Sequence, residues 1–225
     1  PLFRSWDSGI HVPMIIRWPE VIKAPEGYKP GSVNNEMISL MDLTATTLSI
    51  AGIPRPPLMQ SRIFLGAEKD EPRTFVFSAR DRIDETVNRI RSVRESKYHY
   101  IRNFIPGEGF TSLNRYQEKC FQVKPLMRKL YDEGKLSGPA ADLMKPQPAE
   151  LLYDTESDPH EIYNLAGSDL PEHREALIRL RAALDAWIVE TGDLGRFPEP
   201  PEIVKPFAKE MHDWFGTPDW YGKKE

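Results

Sequence analysis

The apolar positions of the chain follow two periods, and these divide it into elements. Val12-Pro13-Met14-Ile15-Ile16-Arg17-Trp18-Pro19 is a short apolar run closed by proline, which predicts a buried strand rather than a helix. A polar loop rich in Pro, Gly and Lys follows over 20–34. Met37, Leu40, Met41, Thr44 and Leu48 then recur at three- and four-residue spacing and predict a helix over Asn35–Ala51, stopped by Gly52 with Pro54 beyond it. The stretch Pro54–Pro72 reads as an irregular connection and a candidate domain boundary.

Period-two alternation takes over next. Arg73–Ala79 alternates around Phe75 and Phe77, Arg89–Arg94 around Ile90, and Tyr98–Phe104 around Tyr98 and Tyr100. A bend at Glu95-Ser96-Lys97 makes the last two a hairpin, and the charged alternate positions predict an antiparallel sheet with one wet face. Residues 106–148 predict short helices and loops, and Leu151-Leu152-Tyr153 a further short strand. Leu177, Leu180, Leu184, Trp187 and Ile188 form one stripe of a helix over Leu170–Thr191. Asp169 and Glu172 match a capping box at its start, Pro171 is tolerated in its first turn, and Gly192 ends it. The Pro- and aromatic-rich tail beyond Gly195 is expected to wrap the surface in extended form.

Composition narrows the function classes. The 225 residues suit one large domain or two small ones, and a net charge of −4 gives no signal for nucleic acid or a membrane surface. No apolar run approaches the roughly 20 residues of a spanning helix. The single cysteine, Cys120, rules out an internal disulfide framework and is expected to be a half-buried free thiol. The chain opens at Pro1 on an aromatic and apolar segment, which suggests a piece cut from a longer protein.

Several segments carry a resemblance. Trp6-Asp7-Ser8-Gly9-Ile10-His11-Val12-Pro13 resembles the sulfatase segment of aromatic, acidic, small residue, Gly, two variable positions and Pro ahead of an apolar strand. In this reading Gly9 permits a turn and Pro13 fixes the entry into the strand. Leu151-Leu152-Tyr153-Asp154, followed by Asp158-Pro159-His160-Glu161 and Asn164-Leu165-Ala166, is similar to the C-terminal "LYD…DP.E..NLA" signature of sulfatases. There Asn164 satisfies loose backbone groups and Leu165 plugs the core. The helix Ile38–Leu48 with Ala51-Gly52-Ile53-Pro54 resembles a third landmark, a helix that packs on the main sheet. Arg80-Asp81-Arg82, Arg94 and Lys97–Asn103 resemble the family's C-terminal sheet, and Trp187–Thr191 resembles the heparan N-sulfatase branch. These landmarks follow the family's order from residue 6 to about 192.

The resemblance implies an α/β fold: the C-terminal part of a sulfatase, with the end of a large mixed sheet plus a small antiparallel sheet packed on a C-terminal helix. It implies a truncated end of the N-terminal α/β catalytic domain over residues 1–70 and a C-terminal α+β subdomain over 71–225. It also implies hydrolysis of sulfate esters or sulfamates on a sulfated carbohydrate such as a glycosaminoglycan, or on another small sulfate ester. Such enzymes use a formylglycine made in a C/S-x-P-x-R motif and a calcium ion held by Asp and Asn. Neither is expected here. Cys120 stands in Lys119-Cys120-Phe121-Gln122-Val123, and the nucleophile and calcium ligands belong upstream, in the missing N-terminal part of the same protein. The piece alone is expected to be inactive. The resemblance implies a periplasmic, secreted or lysosomal parent.

The resemblance also assigns candidate residues. The family places a sulfate-contacting Lys or Arg before the acidic-small-Gly turn. Strict spacing puts Leu2 there, and Arg4 is the nearest cation; the alternative is a surface charge, with the true residue lost upstream. His11 follows the turn and is either a cleft residue or a hydrogen-bonded structural one. The loop Ser78–Glu85 corresponds to one that leans over the pocket, with Arg80, Arg82 and Asp84 as substrate-binding candidates. The competing reading has these charges neutralising one another on a solvated loop. The branch places His and Glu in that loop, where this chain has Arg, Asp and Glu. Two other functions stay open: a phosphonate or phosphodiester hydrolase of the same alkaline phosphatase superfamily, and a non-catalytic glycan-binding module presenting Trp214, Trp220 and Tyr221.

Overall fold

The computed structural model describes residues 6–107 and 112–221. The element order is α1 (Asp7–Ile10), α2 (Asp42–Ile50), β1 (Val76–Ile83), β2 (Thr86–Arg94), β3 (Tyr98–Asn103), α3 (Arg115–Cys120), α4 (Val123–Asp132), α5 (Gly138–Asp142), β4 (Glu150–Asp154), α6 (Pro171–Glu190) and α7 (Pro201–Phe215). The fold is mixed α/β. Its chain forms two compact units, one of Pro1–Ile10, Phe77–Val93 and Lys97–Glu225, the other of His11–Val76 and Arg94–Ser96. No helix among the described residues is long and apolar enough to cross a membrane.

The larger unit is built on a four-stranded sheet in the order β1-β2-β3-β4. Connections of two and three residues leave only antiparallel pairing for β1-β2 and β2-β3. β3 and β4 pair antiparallel, with Tyr100 opposite Leu152 and His99 opposite Tyr153. One face carries Tyr98, Tyr100 and Leu152 toward α6, whose Ala176, Leu177, Leu180, Leu184 and Ile188 are buried. The Tyr98 ring meets His173 of α6 edge-on at 6.2 Å, and Phe77 stacks on Trp187 at 5.1 Å. The other face holds Ile90, Ile101, Leu151 and Tyr153, with Trp6 packed against them.

The expected wet face is absent. β2 and β3 are buried at most positions, where Arg91 pairs with Asp81 and Asp193 and His99 with Glu161. β1 begins at Val76 rather than Arg73 and runs on through Ile83, so the expected loop over Ser78–Glu85 is mostly strand, with its turn at Asp84-Glu85. The helix α6 spans almost the range its stripe predicts, but Asp169 and Glu172 form no capping box. Leu170 is the N-cap without a side-chain bond, and Asp169 pairs instead with Arg174. The tail folds into α7 rather than an extended wrap. Cys120 is exposed, not half-buried.

In the smaller unit the segment 12–19 forms no strand, and Ile15 is 93% exposed. A strand's backbone groups need a neighbouring edge, and the described residues of this unit provide none. α2 starts at Asp42, seven residues later than its periodicity predicts, and Gly52 at φ 70° turns the chain out of it. Its apolar stripe is also not its buried face: Asp42, Ala45 and Thr46 point inward, while Leu40 is 63% exposed. Thr46 Oγ1 accepts the amide of Phe64, and Ile63 and Phe64 are buried with Ala45.

Candidate functional site

The larger unit brings the two most distinctive sequence segments together. Trp6 O accepts the amides of Gly9 at 2.8 Å and Ile10 at 3.2 Å, closing the single turn α1. Gly9 therefore lies in helical backbone and not in the left-handed conformation that favours glycine. The Trp6 indole N–H donates to the Tyr153 hydroxyl at 3.2 Å. The Asp7 amide donates to Glu161 Oε2 at 2.6 Å, and Glu161 Oε1 lies 2.5 Å from His99 Nδ1. His99 and Glu161 are both buried. Burial pushes the Tyr153 phenol well above its ordinary value. The Trp6 bond opposes that rise, while the charges of Glu161 and Asp158 add to it, so the group is a neutral hydroxyl.

The loop that delivers Glu161 is built by its own polar residues. Asp158 Oδ2 accepts the amides of Ile162 at 2.7 Å and Tyr163 at 2.8 Å. Glu161 is held at φ 53°, a left-handed conformation that costs a non-glycine residue about 1–3 kcal/mol. Asn164 does what its place in the signature implies: Oδ1 accepts the amides of Leu152 and Ala166, both at 3.0 Å, and Nδ2 donates to Glu150 O at 3.1 Å. Leu165 is only half-buried and does not plug the core.

Of the predicted site residues, Arg4 lies outside the described residues. His11 is exposed in the smaller unit. Arg80, Arg82 and Asp84 sit together on the β1–β2 hairpin of the larger unit. Arg80 is half-buried, and its carbonyl accepts Arg91 Nη1 at 3.0 Å. Arg82 Nε donates to Glu199 Oε2 at 2.9 Å, its Nη1 donates to Asp84 O at 2.8 Å, and its guanidinium lies 4.0 Å from the Phe207 ring centroid. Asp84 takes φ 51° at the turn, and its Oδ2 accepts Asn114 Nδ2 at 3.2 Å.

A cluster of buried charges that no sequence pattern announces braces the tip of this hairpin. Glu85 Oε1 accepts the Arg115 amide at 2.8 Å, and Asn114 Nδ2 donates to Thr86 Oγ1 at 3.0 Å. Behind them Lys124 Nζ donates to Ser112 O at 2.7 Å and lies 3.5 Å from Glu118, which also pairs with Arg128 at 2.6 Å. Arg128 lies 3.6 Å from the Trp220 ring centroid. Burial pushes Lys124 down to about 8; Glu118 opposes the fall and Arg128 adds to it. Its folded value is below its unfolded one, so the folded state binds fewer protons between the two, and stability rises with pH across that window. Urea unfolding is expected to show a gain on the order of 2 kcal/mol from pH 8 toward pH 10, absent in Lys124→Met.

Neither family cofactor fits these residues. Among the described residues no group of three or more His, Cys, Asp or Glu side chains is placed to hold a metal ion. Cys120 ends α3 and is followed by Phe121-Gln122-Val123, with neither the proline nor the arginine of the formylglycine motif. The smaller unit carries a shallow hollow of about 300 Å³ lined by Met41, Thr44, Leu58, Met59, Gln60 and Ser61.

The sequence is similar to known proteins. The family model described as N-sulphoglucosamine sulphohydrolase, C-terminal, matches residues 4–119. An ulvan-active sulfatase of Formosa agariphila is 36% identical over 201 residues, covering 89% of this chain and 32% of the relative. The N-sulphoglucosamine sulphohydrolase of Homo sapiens is 29% identical over 192 residues, 78% of this chain and 37% of that protein. A solved 2-O GAG sulfatase aligns with a TM-score of 0.44 at 21% identity, over 71% of this chain and 27% of the other. The chain thus spans about a third of the length of the curated relatives it matches.

Proposed function

Because the chain belongs to the sulfatase family, matched over residues 4–119 by its N-sulphoglucosamine sulphohydrolase C-terminal model, we propose that it is the C-terminal third of an enzyme hydrolysing sulfate esters or sulfamates of a carbohydrate. The observation that carries this reading is the joining of the two family segments: Trp6 to Tyr153 and the Asp7 amide to Glu161. Bonds between elements so far apart in sequence support a C-terminal subdomain that buttresses the segment beside the sulfate.

In this reading residues 1–70 complete an N-terminal catalytic domain and 71–225 form the C-terminal subdomain. Exposed apolar side chains in the smaller unit support it. Ile15 is 93%, Val21 92% and Leu58 96% exposed, an arrangement suited to docking on further polypeptide. The end of the large mixed sheet would form there, with segment 12–19 as one of its strands and the apolar stripe of α2 packed on it. The formylglycine and the calcium ligands belong to that preceding polypeptide, and when bound the metal would supply charge to polarise the sulfate oxygens. Arg4 is the candidate for the sulfate contact and His11 a separate candidate in the smaller unit, while Arg80, Arg82 and Asp84 line the sugar side. Arg82 and Asp84 do so by shaping the hairpin, since Glu199 and Asn114 hold them. A sulfated carbohydrate is the substrate class, in keeping with the names of the ulvan-active sulfatase and the N-sulphoglucosamine sulphohydrolase. A periplasmic, secreted or lysosomal parent completes this proposal.

The test is sulfate release from sulfated oligosaccharides and from an aryl sulfate, measured by ion chromatography for the complete polypeptide and for residues 1–225 alone. Release by the complete polypeptide and none by the piece is the expected result. Turnover by the piece alone, or phosphodiester cleavage without sulfate release by the whole, overturns it.

A further inference from the structure

We propose that Glu161 and His99 are positioning residues that fix the Trp6–Ile10 turn beside the sulfate, a role that rests on the sulfatase reading above. The turn cannot hold its own shape. α1 is four residues long and is closed by two backbone bonds, whereas a helix this short is unstable in isolation. Two bonds from the C-terminal signature hold it in place. Tyr153 receives the Trp6 indole N–H, and Glu161 receives the Asp7 amide.

These anchors have a common base. His99 and Tyr153 are opposite one another in the β3–β4 register, so their side chains leave the same face of the sheet side by side. Tyr153 reaches the turn directly, and His99 reaches it through Glu161. The carboxylate has one oxygen on each partner, 2.5 Å from His99 Nδ1 and 2.6 Å from the Asp7 nitrogen, so neither bond can be kept if it rotates. Its side chain is 1% exposed. Packing alone does not account for such a group. An apolar side chain would fill the space without desolvating a carboxylate. What the carboxylate adds is direction: a fixed acceptor for one main-chain N–H in the turn. A displacement of about 1 Å near a reacting centre can lower a rate about 100-fold, which is the scale on which such a clamp acts.

The experiment uses the complete polypeptide with Glu161→Ala, Glu161→Gln and His99→Phe. Sulfate release gives kcat and KM per folded enzyme, and hydrogen exchange follows the peptide spanning residues 6–13. Glu161→Ala is expected to lower kcat about 10–100-fold with KM within about 3-fold, and to speed exchange at the Asp7 amide. Glu161→Gln still accepts that N–H and turns its amide group to His99 as the other tautomer, and it is expected to restore kcat to within about 5-fold of wild type. His99→Phe is expected to fall between them. Unchanged kcat per folded Glu161→Ala enzyme overturns the proposal, as does unchanged exchange at Asp7. A wild-type protein that releases no sulfate strikes the sulfatase reading instead, and the exchange measurement then still decides whether the clamp exists.

Discussion

Replacing Arg91 with alanine is expected to destabilise the larger unit by about 3–5 kcal/mol, seen as a lower midpoint in urea unfolding. Arg91 stands in β2 at 1% exposure. Its Nε and Nη2 form a fork on Asp193 at 2.7 and 2.9 Å, Nη2 also lies 2.8 Å from Asp81, and Nη1 donates to the carbonyls of Arg80 and Ile90. Burial works against the charge, yet the bonds to Asp193 and then to Asp81 outweigh it and raise its pKa. Truncation leaves Asp193 largely enclosed without its partner, whereas Asp81 is 44% exposed and can hydrate. Asp193→Ala is therefore expected to approach the effect of Arg91→Ala, and Asp81→Ala to stay under about 1 kcal/mol. Gly195 completes the nest. A Cβ there would stand 1.5 Å from Arg91 Nη2 and 2.5 Å from Asp81 Oδ1, so Gly195→Ala must displace the guanidinium. The pair Arg91→Ala with Gly195→Ala is expected to be clearly less damaging than the sum of the two. Additive effects would show that the guanidinium is not what fills that space.

The elements legible in the sequence are those whose neighbours in the chain decide them. The stripe Leu177, Leu180, Leu184 and Ile188 needs only its own period, and α6 follows it from Pro171 to Glu190. The tail reads as extended because Pro200, Pro201 and Pro206 look like breakers. Pro200 and Pro201 stand where the helix leaves its N–H groups unbonded, and Ile203, Phe207, Met211 and Phe215 recur every fourth residue, so α7 forms. Asn35–Met41 has helical periodicity but stays outside α2, since Asp42 takes the Ser39 amide and sets the start there. Charges close in sequence are the obvious partners for Arg82, yet it bonds to Glu199, 117 residues away. The candidate site is least legible where it uses main chain. The Asp7 amide that Glu161 grips leaves no trace in a string of side chains, and only the presence of Glu161 in a recognised segment points toward it. Family membership can be read because its landmarks are turn and cap residues with fixed spacing. The clamp cannot, because it depends on tertiary geometry.

Asp42→Ala is the corresponding large effect in the smaller unit, with an expected loss of about 3–5 kcal/mol there. At 1% exposure Asp42 accepts four hydrogen bonds. Oδ1 takes the Arg62 amide at 2.8 Å and Arg73 Nη2 at 2.5 Å, and Oδ2 takes the Ser39 amide at 2.9 Å and Arg73 Nε at 2.8 Å. Alanine strands two amides and a guanidinium whose side chain is only 16% exposed. Asparagine has the shape of aspartate but not its acceptors, because its amide nitrogen would face donors. Asp42→Asn is therefore expected to lose about 2 kcal/mol or more. The same bonds set a pH dependence. Burial pushes the Asp42 carboxyl up, but Arg73 and the amides of Arg62 and Ser39 outweigh it and hold the group below 3.8. A depressed folded value means that the carboxylate's contribution is complete above the unfolded pKa and fades as pH falls through the folded one. The difference between wild type and Asp42→Asn, followed by hydrogen exchange of the peptide spanning residues 39–50, is therefore expected to hold constant from pH 7 to about 5 and to narrow below about pH 4. A gap that stays fixed down to about pH 2 would mean that Asp42 anchors the unit by shape rather than by charge.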